Sequence, residues 1–496
     1  MSFQDFMVNL YDIWVPRNLI TEELSGIYGN QVLADMGRII NYYNIYDNGT
    51  DFPVAAESDY VPAQLKYKKI RSLIDKEARF LFAKPPEYFV KPKEVSENNN
   101  ALCSVYQAYL DAVLKENKIS NKMVKAAKDC LIGERIAIFV NFDEEHGIKI
   151  TFSPSLEFVY EQDEYGDLTK IVGFFALNDA IDQNEQRIQK KKYWMENGIC
   201  HVSEGIYDGG GNLVETLIDD LATAFEYIPA VVILNAGLTG DTQGQSEMQG
   251  LVEYEEYYNR LSNLDIDAER QGMNPIHYTI DVSPAATSDL SLAAGAFWDL
   301  QSDPNSPSDG MAGKVGVLEN GMSYSAALNT TLERIKNTMY EQLDVPAVSS
   351  SDLKSVVTSG KTLKAIYWGL IVRCDEKMLD WKPALEFMAK CIIDGAFLYP
   401  EIAAKYTTEA LSELDYVITV DNQYPLPEDE SEEKAIDLSE VSAKTRSIKS
   451  YLKKWQGVTD DEADAEIQQI ALEQQLLNNS FMPLTSQTAT GTGEAQ

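Results

Sequence analysis

The stretch Ser355-Val356-Val357-Thr358-Ser359-Gly360-Lys361-Thr362 comes nearest to phosphate chemistry. Its Gly-Lys-Thr ending is that of a P-loop, in which a lysine such as Lys361 reaches the outer phosphates of a nucleotide. Tyr416-Val417-Ile418-Thr419-Val420-Asp421 has the form of a strand ending on a metal-holding aspartate. The match is incomplete. A P-loop opens on a glycine so that backbone N–H groups can wrap the phosphates, and Ser355 stands there instead. No strand pattern clearly precedes it. The structural alternative is a helix start, with Ser359 as N-cap and Lys361 and Lys364 in solvent. His146, His201 and His277 have no metal or catalytic spacing, and neither His-Glu-x-x-His nor Gly-x-Ser-x-Gly occurs. Cys103, Cys130, Cys200, Cys374 and Cys391 lie far apart with no Cys-x-x-Cys pair, which excludes a thiolate zinc site and fits a reducing compartment. Neither a cofactor nor a metal is expected.

The 496 residues hold 78 acids against 42 bases, a net charge of −36. A chain this acidic lacks the basic footprint with which nucleic-acid binders hold phosphate. The excess serves solubility, or it makes a surface that faces nucleic acid without sticking to it. No apolar run approaches the ~20 residues of a membrane span. The N-terminus has no basic segment followed by an apolar one, so no secretory signal is expected.

Periodicity places these residues on elements. Residues 1–60 are mixed, with turn signals at Asp47-Asn48-Gly49. Apolar residues at helical spacing predict helices over Lys66–Phe82, stopped by Pro85-Pro86, and over Asn98–Asn117 and Asn121–Leu131. From Gly133 the pattern becomes an antiparallel meander: Arg135–Asn141, Ile148–Ser153, Leu156–Gln162, Lys170–Leu177, Lys190–Glu196, Ile199–Tyr207 and Asn212–Ile218, closed by Val231–Leu234. Ser246, as N-cap, opens a helix to about Gln271, roughly 39 Å long, rich in Glu and Asp. Met273–Ser323 reads as a small β-containing insertion with Phe297, Trp298 and a proline loop over Asp303–Gly310. Those aromatics make a partner surface or the insertion's own core. A second long helix, Tyr324–Leu343, carries the stripe Leu328, Leu332, Ile335, Met339 and Leu343. Asp344–Thr358 is a loop. Gly360–Phe397 is helical and kinked at Pro383, and Asp415–Val420 is a strand. Glu428–Glu433 is an acidic run, a solvated linker or a repulsive collar. Ala435–Gln456 and Thr459–Asn479 form a helical pair joined at Gly457, before a polar tail.

Five stretches in this order resemble the portal proteins of tailed bacteriophages, of the siphophage kind. They are Lys68–Asp75 running into Phe80–Pro86, with Ala83 where the family has glycine; Ile132-Gly133-Glu134-Arg135 with Phe152–Pro154 and Phe158–Tyr160; Ile228–Asn235 with Gly244–Glu247 and the Asn259-bearing helix; Ser359–Lys364, with Thr362 where the family has alanine; and Ser442–Thr445 through Gly457–Asp461 to Glu473. Together they span about residues 65–475. The resemblance assigns Gly360 to a structural helix start.

It implies an α+β portal fold. Residues 1–245 and 359–434 form a helical and β wing, 246–271 and 324–343 a two-helix stem, and 272–323 a small β-containing clip. Residues 344–358 form a tunnel loop, 435–480 a helical crown, and 481–496 a disordered tail. It further implies a structural, non-enzymatic ring, usually of twelve copies, at one capsid vertex. Double-stranded DNA passes through it in packaging and ejection without sequence specificity. Its partners are the terminase large subunit, a head-completion or adaptor protein, and the major capsid and scaffolding proteins, with no membrane. It belongs to the virion, and to the host cytoplasm during assembly. Val348, Ser349, Ser350, Ser351, Asp352, Lys354, Lys361 and Lys364 are expected at the tunnel loop. Phe297, Trp298, Asp303, Pro304 and Pro307 are expected to dock partners. Glu253, Glu255, Glu256, Asp265 and Glu269 are expected to line the channel, where acids repel phosphate and let the duplex slide. The other readings are an ATP-using or nucleic-acid enzyme built on Lys361, and a capsid or scaffold protein without a channel.

Overall fold

A computed structural model describes residues 15–23, 27–52, 61–178, 185–235, 237–238, 241–273, 276–280, 282, 314–318, 322–347, 360–407, 411–412, 414–426 and 430–480. The N-terminal part comprises α1 (Arg17–Glu23), α2 (Ile27–Asn48), α3 (Lys69–Phe82), β1 (Glu87–Pro92), α4 (Glu97–Glu116) and α5 (Ile119–Gly133). Next come β2 (Arg135–Asp143), β3 (Gly147–Pro154), β4 (Phe158–Gln162), β5 (Leu168–Ala176), β6 (Ile188–Glu196), β7 (Ile199–Tyr207), β8 (Leu213–Ala222) and β9 (Ala230–Leu234). α6 (Val252–Met273), β10 (Ile276–Ile280), β11 (Lys314–Leu318) and α7 (Ser325–Gln342) follow. The chain continues through α8 (Gly360–Ile366), α9 (Trp368–Leu398), α10 (Pro400–Ala403), β12 (Tyr416–Asp421), α11 (Glu430–Ser442), α12 (Ile448–Gln456) and α13 (Asp460–Ser480). The fold is a mixture of helix and sheet, as expected.

The meander divides into two sheets: a three-stranded one in the order β3-β2-β9, and a five-stranded one in the order β4-β5-β6-β7-β8. Strand alternation explains why β4, β5 and β6 of the second bury side chains on both faces, while β8 is exposed. Val159, Val172, Phe174 and Ile188 pack on Leu19, Ile20 and Met36 of the first two helices. Their neighbours Phe158, Ile171 and Tyr193 point the other way, against Ala137 and Phe139 of β2. β10 and β11 pair antiparallel from Ile276↔Leu318 to Ile280↔Lys314, which makes the insertion β-containing.

Several expectations need correction. α2 is a 22-residue helix where a mixed segment was expected; the turn signal at Asp47-Asn48-Gly49 marks only its end, with Gly49 at φ 78. β1, unforeseen, pairs with β12 from Glu87↔Asp421 to Pro92↔Tyr416. The helix expected from Ser246 begins at Val252, because Gly250 takes φ 84 and breaks the turn before it. Gly272 lies inside its last turn. The helix expected over Gly360–Phe397 divides at Tyr367 into α8 and α9, and Pro383 lies within α9 without ending it. Every strand pairing among the described residues is antiparallel. Among the described residues β12 pairs with β1, antiparallel, and not within a parallel sheet of the kind that carries a P-loop.

The chain divides into two compact units. One comprises residues 1–348 and 367–425. The other comprises 349–366 and 426–496, where three helices replace the expected pair. α11 ends at Ser442, and Lys444 takes φ 60 in the turn that follows. Asp437 accepts from Lys454 (3.0 Å), from the Trp455 indole (2.7 Å) and from Arg446 at close range. Gly457, at φ 65, ends α12. Thr459 and Glu462 form a reciprocal capping box at the start of α13.

Candidate functional site: a two-helix excursion and its clamped root

The chain leaves the three-stranded sheet at Asn235 and returns to the body at Leu343. α6 and α7 frame that excursion. Gly250, just before α6, lies beside the Gln342 carboxamide at the end of α7. Tyr324, at the start of α7, feels the charges of Asp265 and Glu269 late in α6. The two helices therefore run antiparallel. Met339 and Leu343 are buried and Leu328, Leu332 and Ile335 half-buried, as the apolar stripe predicts.

The buried face of α6 is polar: Glu255, Asn259, Ser262, Asn263 and Asp267. Its function is local. Residues 61–68 lie alongside without regular secondary structure, and their N–H groups donate into this face. Ala63 N–H donates to both Asp267 carboxylate oxygens (3.0 and 3.1 Å). Leu65 N–H donates to Asn263 Oδ1 (2.7 Å), Tyr67 N–H to Asn259 Oδ1 (3.0 Å) and Ile70 N–H to Glu255 Oε2 (2.7 Å). Asn263 Nδ2 answers to Leu65 O (2.8 Å), and Asn259 Nδ2 donates to Thr50 Oγ1 (3.0 Å). The match is geometric. Four residues of helix climb about 6 Å, and two extended residues span about 6.6 Å. Asn259, Asn263 and Asp267, four apart on α6, thus serve amides two apart on the strap, and Glu255 takes the Ile70 amide at the start of α3.

The root of the excursion is ionic. Arg373 of α9 meets Glu77 of α3 (2.9 Å) and, at close range, Glu247. Lys377 meets Glu247 (2.5 Å), Glu77 (3.5 Å) and the Asn235 carboxamide (2.8 Å). Arg373 also reaches Gln342 O (3.5 Å) and Asp344 (3.9 Å). Both ends of the excursion are thus tied to one cluster in which two buried acids face two bases. Burial lowers the affinity of both bases for their protons, but the two carboxylates outweigh it and hold Arg373 and Lys377 above their ordinary values. Burial raises Glu247, and the two bases bring it below the usual carboxylate value; Glu77 stays above it. Taking one partner from such a cluster leaves an uncompensated buried charge.

The segment leading into α6 is fitted to the end of α5. Gly244 lies at φ 76, and a Cβ there would sit 2.3 Å from Glu134 O. Ser246 Oγ donates to Ile132 O (2.6 Å) and accepts from Met248 N–H (3.1 Å). Glu134, at φ 72, is held by Arg38 (2.8 Å), and the buried Arg135 donates to Gln243 O (3.2 Å).

The expected channel acids fare unequally. Glu255 is buried and receives the Ile70 amide, so it cannot line an aqueous path. Glu253 and Glu269 are exposed, and Glu256 and Asp265 half-buried. They do not share a face. Glu256 and Asp265 are nine residues apart, about two and a half turns, which puts them on opposite sides of the helix. Glu253 and Glu256 form one pair, with Arg260; Asp265 and Glu269 form another, on the side of Tyr324. Val348, Ser349, Ser350, Ser351, Asp352 and Lys354, and likewise Phe297, Trp298, Asp303, Pro304 and Pro307, lie outside the described residues. Lys361 stands in the first turn of α8, and Lys364 is exposed in its last turn. Sequence reasoning missed Glu77, Arg373 and Lys377, which nothing in local spacing connects. It also missed the ladder, whose signal was there: Glu255, Asn259, Asn263 and Asp267 recur every fourth residue.

All five cysteines are buried and unpaired, and no His, Cys, Asp or Glu cluster among the described residues could hold a metal. No described helix is long and apolar enough to cross a membrane.

The structure is thus a mixed helical and β body with a two-helix excursion, and the antiparallel pair β10 and β11 lies in the chain between the two helices. The family model for phage portal proteins, SPP1 Gp6-like, matches residues 27–284 and 300–479. The chain belongs to that family. No curated protein matches it. Membership makes it a bacteriophage capsid component with a head portal role in genome packaging. The family is structural, and it implies an oligomeric ring in contact with capsid and packaging components.

Proposed function

We propose that copies of this chain, twelve by the family resemblance, close into a ring through which double-stranded DNA passes in packaging and ejection. α6 and α7 are the stem, and residues 272–323 are the clip that docks the terminase large subunit and later the head-completion protein. Residues 344–358 are the tunnel loop, 435–480 the crown, and the remaining body the wing, in contact with capsid and scaffolding proteins. ATP hydrolysis belongs to the separate motor. The observation that carries this reading is the rooted excursion. Both its ends are tied to one buried ionic cluster, so force on the distal end is delivered to the body through packed helices and not through a loose linker.

The channel lining is narrower than the sequence suggests. Asp265 and Glu269 face the start of α7, which leaves Glu253 and Glu256 as the α6 acids toward DNA. At physiological salt a charge acts over ~8 Å, so only residues at the wall affect the duplex. Replacing both by lysine adds counterion-releasing contacts in every copy, and packaging in a reconstituted motor assay should slow by about tenfold or stall. Lysine at Asp265 and Glu269 should leave the rate within about twofold. Equal slowing by both pairs, or by neither, contradicts the assignment.

A further inference from the structure

Two joined cavities lie along α9, away from the excursion. One, about 950 Å³, is walled by Phe225, Tyr227, Phe387, Phe397 and Tyr416, and the other, about 700 Å³, opens beside Leu379, Met195 and Ile228. They share Glu226, Tyr227 and Phe387, which form the ridge between them. At the floor of the first, the Asp394 carboxylate is fixed by two phenols: Tyr227 Oη donates to Oδ2 (2.6 Å) and Tyr416 Oη to Oδ1 (2.7 Å).

The charges of the two linings are strongly one-sided. Asp167, Glu226, Asp380, Glu386, Asp394 and Asp415 contribute carboxylates, against Lys93 and Lys390. Lys93 is already beside Asp415 (3.6 Å), and Lys390 lies over the Tyr227 ring (5.0 Å). Among the described residues, no base lines the second cavity. Leu379, 73% exposed, stands at its rim. Aromatic faces next to carboxylates attract guanidinium and ammonium groups by cation–π and charge-assisted contacts. Each cavity has the size of a small-ligand site, room for a long side chain together with its neighbours in a peptide.

We propose that this groove receives a basic peptide segment of a separate protein, with one arginine or lysine in each cavity and an apolar side chain against Leu379. Lys390 on Tyr227 shows the cationic contact the walls already make. The inference does not rest on the ring or its channel, so it stands or falls independently of them.

The test uses the full chain and a fluorescein-labelled octapeptide alternating arginine and leucine, read by fluorescence anisotropy at near-physiological salt. Glu226→Lys with Asp380→Lys, both exposed positions, should weaken binding by about tenfold or more. Phe387→Ala should weaken it severalfold. Glu215→Lys with Asp219→Lys, the same charge change on the exposed strand β8, should alter affinity by less than about twofold. If the double lysine variant misfolds, Glu226→Gln with Asp380→Asn replaces it, with a loss of about threefold expected. Equal losses from both lysine pairs would reduce the binding to general attraction by an acidic surface and overturn the proposal, as would no binding. Binding by the unassembled chain but not by its assembled form would assign the groove to a neighbouring copy and overturn the separate-protein reading.

Discussion

Glu157 and Asp129 show what burial does to individual carboxyls in this acidic chain. Burial pushes Glu157 up to about 7, helped by Asp129, and pushes Asp129 up to about 6 against the Tyr43 hydroxyl, which donates to it at 3.1 Å. An acid whose folded value is raised binds its proton more tightly in the native state. Its unfavourable contribution is absent below the unfolded value near 4 and grows as pH rises toward 7. The native protein should therefore lose about 4 kcal/mol of stability between pH 5 and pH 8 from this pair. Glu157→Gln should flatten that slope in urea titrations at the two pH values; an unchanged slope would place the titration elsewhere. Glu247 works in the opposite sense. Its lowered value stabilises above the ordinary carboxylate range and is lost as pH falls through it. The same residue type thus has opposite effects, decided by how far neighbouring bases offset burial: they outweigh it at Glu247 and not at Glu77. Composition conveyed the excess of acid; it could not say that Glu255 caps a buried amide while Glu253, two residues earlier, meets solvent.

At the scale of elements, the polar ladder on α6 makes a specific claim. Asn259 and Asn263 hold the 61–68 strap, and alanine at either leaves buried partners unsatisfied at about 1–3 kcal/mol each. Asn259→Ala with Asn263→Ala should lower the thermal midpoint by several degrees and speed amide exchange at Leu65 and Tyr67 before exchange in the β4–β8 sheet. Uniform exchange across the chain would show that the strap is not a separate unit. Elements with strong local period were legible: Asn98–Asn117 against the observed Glu97–Glu116, and Ile199–Tyr207 with both ends right. Elements set by distant partners were not. β1 is six residues between prolines, and its partner β12 lies more than three hundred residues on. α2 was hidden by its tyrosines and asparagines and by the turn at its end. Ser246 looked like a helix cap by type, but its hydroxyl is bound to the Ile132 carbonyl, and Gly250 delays the helix. The stretches that carry the family resemblance now have physical work. Gly244, Ser246, Glu247, Glu134 and Asn259 all fit the excursion to the body.

For the whole molecule, a net charge of −36 suits the proposed ring, through which phosphate would have to pass. Copies so acidic repel one another, so closure must rest on packing, and high salt should favour it by screening. Negative-stain electron microscopy of the purified full-length protein tests the central claim most directly. It should show closed rings of uniform copy number around a stain-filled hole wide enough for a double helix. Solid particles, or chains that stay single at micromolar concentration in every salt, would contradict the account.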